Sequence, residues 1–337
     1  MGSKVLLIAA YCFIMPIALI GNVFVVRTIF KVPRMKTPTN MMFVNMALFD
    51  IIVAVTMMPY MISFILYPFR WLGGLFGTIT CKLTYYAFYI SIAGSILALT
   101  VMATDRFFAI VLPFKKVRFF KRFKLLTCIV WVTSMLYMLP IAVLQEVKLI
   151  NGDFQCATNW FKLADPLLSF KAFSLCVLVS FYLIPLAVMA VLYALIAHRL
   201  WFSRIPVENA QDETNRRIQN KKRKVVRMLV IILVVFALCW LPAHIGHFIL
   251  IINDSPTEVL VMFGFFLGHA NSAINPCLYV ILHSGFRRAF LQLFPRFRGT
   301  HSDCISRMNT TAATVMSSFS DNRISQKRND IQREALL

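Results

Sequence analysis

Seven long stretches of this sequence carry almost no charge, and they constrain the fold more than any other feature. Six of them contain no Asp, Glu, Lys or Arg, and the remaining one is interrupted only by Asp50. A helix needs about 20 predominantly apolar residues to cross a bilayer, and every stretch reaches that length. The stretches are Val5–Val26, Thr37–Phe69, Leu83–Thr104, Leu125–Gln145, Ala172–His198, Met228–Asn253 and Val259–Phe286.

The apolar runs are continuous, which predicts helices rather than the shorter alternating strands of a membrane barrel. Only 15% of the residues are charged, whereas a water-soluble domain has about 25%. We therefore predict an all-α membrane protein, a seven-transmembrane helix bundle with a short amphipathic interfacial helix. The predicted divisions are a very short extracellular N-terminus at 1–4, the helical domain at 5–286, an amphipathic cytoplasmic helix at 287–295 and a disordered cytoplasmic tail at 296–337.

Basic residues gather on one side of the predicted membrane. Of the 35 Lys and Arg residues, 29 fall in the segments on the same side as the C-terminus. Because short cytoplasmic loops are enriched in these residues, we predict a multi-pass plasma membrane protein with an extracellular N-terminus and a cytoplasmic C-terminus. The net charge of +21 then indicates contact with membrane lipid rather than with nucleic acid.

Asp50 is a carboxylate in the middle of an apolar stretch. A charge at this depth costs several kcal/mol unless it is paired or solvated, so it marks a functional site by default. No Lys or Arg lies within any of the seven stretches. Two interpretations stay open, a bound monovalent cation and a protonated carboxyl in a structural hydrogen-bond network.

Two of the eight cysteines, Cys81 and Cys156, fall in predicted extracellular segments. They are the only pair that we place in an oxidising compartment, so we expect a disulfide between them. The same loop contains Asn151-Gly152, a strong hairpin signal. It predicts two short strands at Val147–Ile150 and Phe154–Cys156.

Short motifs occur one per stretch, in a fixed order. They are Gly21-Asn22, the Asp50 region, Asp105-Arg106-Phe107, Trp131, Pro185 with Tyr193, Phe236 with Cys239-Trp240-Leu241-Pro242, and Asn275-Pro276-Cys277-Leu278-Tyr279. In this order the sequence resembles the rhodopsin-like (class A) G-protein-coupled receptors over about residues 15–295. The resemblance implies a receptor, not an enzyme, that binds an extracellular ligand and activates a cytoplasmic heterotrimeric G protein.

The resemblance also assigns roles to individual residues. An allosteric sodium ion, with no other cofactor, is implied at Asp50, Ser95, Asn271 and Ser272. Activation and G-protein contact are implied for Asp105, Arg106, Tyr193, Asn275, Pro276 and Tyr279, and the family disulfide for Cys81 and Cys156. One departure is Lys222, which stands where some members carry a Glu that locks Arg106 to the sixth helix.

The class of ligand is predicted from the aromatic and imidazole residues in the extracellular half of the predicted bundle. The implied pocket residues are Tyr60, Tyr85, Phe88, Tyr89, Trp160, Trp240, His244, His247, Phe265 and His269. Phe88 stands where amine receptors carry an Asp, and no Lys is present in the last stretch for retinal. Phe108–Lys115 and Lys221–Pro242 resemble neuropeptide receptors of the neuropeptide Y, galanin, tachykinin and RFamide type, so an extracellular peptide is expected.

Two alternative functions remain compatible with the sequence, and the tail predicts further partners. A class A receptor for a small non-peptide ligand is the main alternative, followed by a seven-helix channel or transporter. A channel would need a polar stripe or a charged ring along a span, and none is visible. The Ser/Thr-rich tail, with Ser317, Ser318 and Ser320, predicts an arrestin and a receptor kinase as further partners.

Overall fold

Long helices account for most of the computed structural model, which describes residues 2–112, 122–163, 165–202, 210–253 and 258–293. Short 3₁₀ turns at Pro33–Met35 and Trp160–Lys162 lie between some of the helices. The helices are α1 Gly2–Lys31, α2 Pro38–Leu66, α3 Gly74–Ile110, α4 Phe123–Leu144, α5 Pro166–Leu178, α6 Ile184–Phe202, α7 Ala210–Asn253, α8 Glu258–Leu282 and α9 Ser284–Leu293.

Within this described part, seven helical segments are long and apolar enough to cross a membrane. Helices α5 and α6 form one of them, because a π-helical turn at Val179–Leu183 joins them without a break. The predicted seven-transmembrane bundle is therefore confirmed. We number the spans first to seventh: Lys4–Lys31, Pro38–Leu66, Gly74–Ile110, Phe123–Leu144, Pro166–Trp201, Ile218–Ile249 and Leu260–Leu282.

Two of the spans begin with the same capping device. Thr37 and Asp165 each accept a hydrogen bond from the backbone N–H three residues later, and a proline follows each of them. The side chain satisfies one of the otherwise unpaired N–H groups of the first turn. Proline is tolerated there because it lacks only an N–H that would have no helical partner. These caps fix where the second and fifth spans start.

An antiparallel hairpin joins the fourth and fifth spans. Strand β1 is Gln145–Ile150 and strand β2 is Asp153–Thr158, in a register that pairs Val147 with Cys156. Both turn residues have positive φ, 52° at Asn151 and 86° at Gly152, as a two-residue hairpin turn requires. The strands are longer than the sequence predicted, because pairing continues to Gln145 and Thr158. We call this side of the bundle the hairpin end.

The second and third spans form the centre of the bundle and approach each other closely. A Cβ atom at Gly94 would lie 2.1 Å from the ring of Phe49. Phe49 cannot retreat, because it is fully buried and its ring lies 4.4 Å from that of Trp131. Glycine at 94 is therefore what allows these spans to touch.

The two ends of the helical domain differ from the predicted divisions. Helix α1 includes residues 2–4, since nothing in that segment ends the helix. Helix α9 begins at Ser284 rather than at 287, and His283 Nδ1 accepts a hydrogen bond from the Gly285 N–H at 3.2 Å. Residues 294–337, which include the end of the predicted interfacial helix and the whole predicted tail, lie outside the described residues.

Candidate functional site

A cavity opens between the third, fourth, fifth and sixth spans near the hairpin end. It encloses about 860 Å³, its open mouth included. Seven of the ten predicted pocket residues line it: Phe88, Tyr89, Trp160, Trp240, His244, His247 and Phe265. The lining contains no Asp, Glu, Lys or Arg. A ligand group that enters this cavity therefore meets aromatic faces, hydroxyls and imidazoles, but no formal countercharge.

Tyr60 and Tyr85, both predicted for the pocket, do not line this cavity. The Tyr85 hydroxyl donates to the Tyr60 hydroxyl at 2.8 Å, which ties the third span to the second. The Tyr60 ring also packs against Trp71 with 5.0 Å between ring centroids. Their hydroxyls and rings therefore bind each other and the loop between the second and third spans.

His269, the third predicted residue that does not line the cavity, lies behind its wall. It is fully buried, and its Nδ1 forms a 2.9 Å hydrogen bond with the Tyr11 hydroxyl of the first span. Its ring lies 5.3 Å from that of Phe88 and 6.2 Å from that of Phe265. His269 therefore supports two lining rings from behind. The Tyr11 bond gave no signal in the sequence, because the two residues are 258 positions apart.

Ten further lining residues were not predicted, and many of them come from the fifth span. Trp160 and Phe173 pack together with 5.6 Å between ring centroids, which closes that side of the cavity. Eight of the ten are not aromatic, so their type gave no signal in the sequence, whereas Phe170 and Phe173 are aromatic residues that the prediction did not include. The missed residues are Ile92, Met138, Ile141, Thr158, Phe170, Phe173, Ser174, Val177, Leu178 and Ala243.

Trp240 forms part of the cavity wall and also contacts the seventh span. A Cβ atom at Gly268 would lie 2.9 Å from the Trp240 ring, so a glycine is needed for this contact. The Trp240 ring lies 6.1 Å from Phe88 on the ligand side and 6.3 Å from Phe236 on the other side. A group that pushes on Phe88 would thus displace Trp240 as well.

The irregular turn of the fifth span bonds to the sixth span one turn before Pro242. The Tyr182 hydroxyl, in the π-helical turn, donates to the Ala237 carbonyl at 2.8 Å. The Tyr182 ring packs against that of His244 at a tilt of 40°, with 4.2 Å between centroids. Because π turns and prolines are the usual places where helices bend, this contact joins two positions at which the spans can bend.

The hairpin is held to the bundle at several points. Cys81 and Cys156 form a disulfide, as predicted, between the third span and β2. The Trp71 N–H donates to the Phe154 carbonyl at 2.7 Å, and the Arg70 guanidinium lies 3.1 Å from the Asp153 carboxylate. These ties position Thr158 at the end of β2 where it lines the cavity.

Glu146, at the base of the hairpin, receives three hydrogen-bond donors. Lys162 and Lys148 place their ammonium groups 2.8 and 3.0 Å from its carboxylate oxygens, and the Asn159 amide lies at 2.6 Å. The Lys162 hydrogen bond is the largest cause that lowers the Glu146 pKa from 4.5 to about 2, against a smaller opposing effect of desolvation. This carboxylate is therefore already paired within the protein and does not await a cationic ligand.

The lowered pKa of Glu146 predicts how the hairpin base responds to acid. Stabilisation by this carboxylate is complete above the unfolded value of 4.5 and is lost as the pH falls through about 2. We expect carboxyl ¹³C NMR to show Glu146 titrating near pH 2 and the hairpin base to persist in mildly acidic medium. Glu146→Gln should remove the titration. A midpoint at the ordinary value of glutamate would contradict the ion-pair network.

A cluster of buried polar side chains surrounds Asp50 in the middle of the bundle. Asp50 is 3% exposed, and the Asn275 amide donates to its carboxylate at 2.9 Å. The Ser272 side chain interacts with the same carboxylate, and the Ser272 carbonyl accepts from Asn22 at 2.9 Å. Ser95 and Asn271 are also buried. The second, third, first and seventh spans all contribute to this polar cluster.

Three amide oxygens of this region, those of Asn22, Asn271 and Asn275, have no hydrogen-bond partner in the described part of the chain. Each buried acceptor left in this condition costs about 1–3 kcal/mol. Oxygen atoms are the ligands that hard cations prefer, and Asp50 supplies the negative charge. The donor set therefore fits a small monovalent cation.

Asp105 and Arg106 lie at the opposite end of the third span from the hairpin, which we call the Arg106 end. Their ion pair measures 2.9 Å. The Thr39 hydroxyl donates to the Asp105 carboxylate at 3.0 Å and accepts a hydrogen bond from Arg106. Tyr193 is buried in the fifth span and close enough to Arg106 to interact with its charge. Arg106 is thus held by its own span and by the second span.

Tyr279 and Lys222 occupy different surroundings near this end. Tyr279 is fully buried, stacks on Phe286, and donates its hydroxyl to the Met46 sulfur at 3.7 Å. Lys222 is exposed at the start of the sixth span. Of the ion pairs within the described residues, Asp105 with Arg106 is the one at this end. The sixth span therefore supplies no acidic partner to Arg106 there.

Most of the chain is similar to known receptors. The profile of the 7 transmembrane receptor (rhodopsin family) matches residues 21–279. A QRFP-like peptide receptor of Branchiostoma floridae is 29% identical over 306 residues, which cover 87% of this chain and 78% of that protein. A Substance-P receptor of Cavia porcellus is 29% identical over 295 residues, which cover 86% and 71%. The family match spans the polar cluster, Asp105 with Arg106, and every residue that lines the cavity.

Proposed function

Because the chain belongs to the rhodopsin family of seven-transmembrane receptors, we propose that it binds an extracellular peptide in the cavity and activates a heterotrimeric G protein at the Arg106 end. The family match over residues 21–279 carries this proposal. The protein is a receptor and not an enzyme. The two ends of the bundle have the features that the proposal needs: a lined cavity at one end, and at the other an arginine held by few partners.

The chemistry of the cavity supports a peptide whose inserted part is uncharged. An isolated charge moved from water into such a site would be strongly disfavoured without a partner, and the lining offers none. The imidazoles of His244 and His247 and the hydroxyls of Thr158 and Ser174 can instead pair with neutral amide groups. One similar protein is named a QRFP-like peptide receptor and another a Substance-P receptor, which points the same way.

A peptide screen tests this assignment. Cells that express the full chain are exposed to matched neuropeptides with an amidated or a free C-terminus, and calcium and cyclic AMP are recorded. We expect amidated peptides to signal and their free acids to be weaker, because a buried carboxylate would meet no cation in the cavity. If only amines or lipids signal, the ligand is not a peptide, although the protein is still a receptor.

Two neighbouring aromatic residues provide a matched pair for the same assay. Trp160 lines the cavity, whereas Phe161 is 82% exposed and does not. Truncation of a buried aromatic anchor costs about 2 kcal/mol or more, so Trp160→Ala should lower the potency of the active peptide by at least about tenfold. Phe161→Ala should change it less than about twofold. Equal losses would place the ligand outside the cavity.

The proposed signal passes from the cavity along the third, sixth and seventh spans. A ligand that displaces Phe88 moves Trp240, and Phe236 follows because it packs beneath that ring. Pro242 and Pro276 lie inside the sixth and seventh spans, and each removes a helical hydrogen bond, which allows its span to rearrange. The ion pair of Arg106 with Asp105 then opens, and Arg106 becomes available to the G protein, with Tyr193 and Tyr279 as supporting residues.

We propose further that sodium binds in the polar cluster, at Asp50, Ser95, Asn271 and Ser272. The ion would neutralise the carboxylate and supply a partner to the amide oxygens that have none. It would favour the inactive arrangement, because any movement of the seventh span shifts Asn271, Ser272 and Asn275 relative to Asp50. Release of the ion on activation follows from the same geometry.

The orientation of the protein in the membrane and its other cytoplasmic partners are inferred from the charge and composition of its segments. The excess of basic residues supports a cytoplasmic Arg106 end and C-terminus, with the hairpin end and the N-terminus outside the cell. A plasma membrane location accompanies receptor function. The Ser/Thr-rich segment after residue 300 supports phosphorylation by a receptor kinase and binding of arrestin.

A further inference from the structure

One arginine hydrogen-bonds the start of the sixth span to the end of the fifth. Arg223 donates from Nε at 3.0 Å and from Nη2 at 2.5 Å to the Leu200 carbonyl, and Gln219 adds a third hydrogen bond at 3.0 Å. Leu200 belongs to the last turn of α6, whose carbonyls lack helical partners. The Arg223 guanidinium also lies 5.4 Å from the centre of the Trp201 ring.

Four further cations flank Arg223, and none of the described side chains around them is an Asp or Glu. Lys221, Lys222, Lys224 and Arg227 are all exposed. None of them takes part in an ion pair in the part of the chain that the structure describes. The sequence from 214 to 253 contains no Asp or Glu. Among the described side chains, this cluster therefore carries positive charge that no acidic group compensates.

Helical geometry divides these cations between two faces of the sixth span. At about 100° per residue, Arg223, Lys224 and Arg227 share an arc with Val234, Leu238 and Leu241. Those apolar residues are 48, 61 and 41% exposed and therefore face lipid. Lys222 instead shares its face with Leu229, Leu233 and Phe236, which are buried in the bundle. The first three cations thus face the membrane, and Lys222 faces the mouth of the bundle.

Trp201 places the lipid-facing cations at the level of the headgroups. Tryptophan is enriched at the boundary between lipid and water, and Trp201 is 40% exposed beside Arg223. Clusters of basic residues just outside a span attract anionic lipids, and guanidinium groups match the geometry of phosphate oxygens. An acidic protein partner would approach from the water side and would meet Lys222 at least as readily as Lys224.

We propose that Arg223, Lys224 and Arg227 form a binding site for a polyphosphorylated phospholipid headgroup, with Trp201 beside it in the interface. Arg223 forms the fixed base of the site, because Leu200 already orients it. Lys224 and Arg227, one turn apart on the same face, supply the mobile charges that close on the phosphates. The site does not depend on the identity of the agonist or of the G protein.

The test uses purified full-length protein and fluorescent phosphatidylinositol bisphosphate in phosphatidylcholine micelles, with binding followed by anisotropy. Each basic residue near an anionic headgroup strengthens binding by about fivefold. Lys224→Gln and Arg227→Gln should each weaken binding by about that factor, and Lys224→Arg should restore it. Lys222→Gln, which removes the same charge from the other face, should change binding less than about twofold.

Three results would overturn the proposed lipid site. If Lys222→Gln and Lys224→Gln weakened lipid binding equally, the lipid would be attracted by the summed positive charge and not by a defined site. Equal competition by the free inositol phosphate headgroup would mean a soluble anion rather than a lipid. Equal binding of phosphatidylserine at matched total charge would remove the preference for several phosphates. Thermal unfolding of each variant verifies folding, and these exposed positions tolerate glutamine because their side chains have no buried contacts.

Discussion

Replacing Cys81 by serine is expected to destabilise the hairpin end more than any other single exchange considered for this protein. The disulfide closes a loop of 75 residues and joins β2 to the third span. Loss of a native disulfide typically costs about 2–5 kcal/mol. Thr158 at the end of β2 and Trp160 just beyond it line the cavity, so both thermal stability and peptide binding should fall. The measurements are the unfolding midpoint of the purified protein and the amount of receptor at the cell surface.

Cys176→Ser is the matched control for this exchange. Cys176 is a free, exposed cysteine of the fifth span, so its replacement should leave the unfolding midpoint within about 0.5 kcal/mol of the wild type. An unchanged midpoint for Cys81→Ser would show that the Trp71, Arg70 and Glu146 contacts hold the hairpin without the disulfide.

Replacing Asp50 by asparagine is expected to abolish the response of the protein to sodium. In the wild type, exchange of N-methylglucamine for sodium at constant ionic strength should raise the unfolding midpoint. At a sodium concentration ten times Kd, the stabilisation amounts to about 1.4 kcal/mol. Asparagine keeps the size of the side chain and can still bond to Asn275, but it lacks the charge that attracts the ion. The variant should therefore unfold at the same temperature in both salts.

Thr56→Val provides the control for Asp50→Asn. Thr56 lies in the same span and donates only to the Ile52 carbonyl at 2.6 Å, so the sodium response should remain. If Asp50→Asn retained the full sodium response, the ion would bind elsewhere and the polar cluster would be a structural network with a protonated carboxyl. That is the interpretation that the sequence had left open.

Features that depend on local composition could be predicted from the sequence. The seven spans follow from apolar runs long enough to cross a bilayer, and the hairpin follows from Asn151-Gly152, whose positive φ angles few other pairs adopt. The Cys81–Cys156 disulfide could be predicted because membrane topology leaves few cysteines in an oxidising compartment. In each case a few neighbouring residues, or a simple count, contain the whole signal.

The lining of the cavity could be predicted only in part. Aromatic and imidazole residues such as Phe88 and His247 were found because their chemistry is distinctive. Ser174 and Val177 were missed, because nothing in their type separates them from lipid-facing neighbours. Tyr60, Tyr85 and His269 have the right chemistry, but each hydrogen-bonds to a tyrosine of another span. Which way a side chain faces depends on the rotation of its helix, and the sequence does not state that rotation.

The sequence by itself determined the seven membrane-crossing helices and the family to which the chain belongs, because hydrophobic length and ordered motifs are properties of the linear chain. Tertiary structure alone decided that His269 bonds to Tyr11 and that Arg223 donates to the Leu200 carbonyl. It also decided that Lys224 shares a helix face with exposed apolar residues, while Lys222 shares one with buried residues. Those contacts join residues far apart in the chain or depend on how a helix is rotated in the bundle. They form only when close packing of all the spans fixes each helix at one angle.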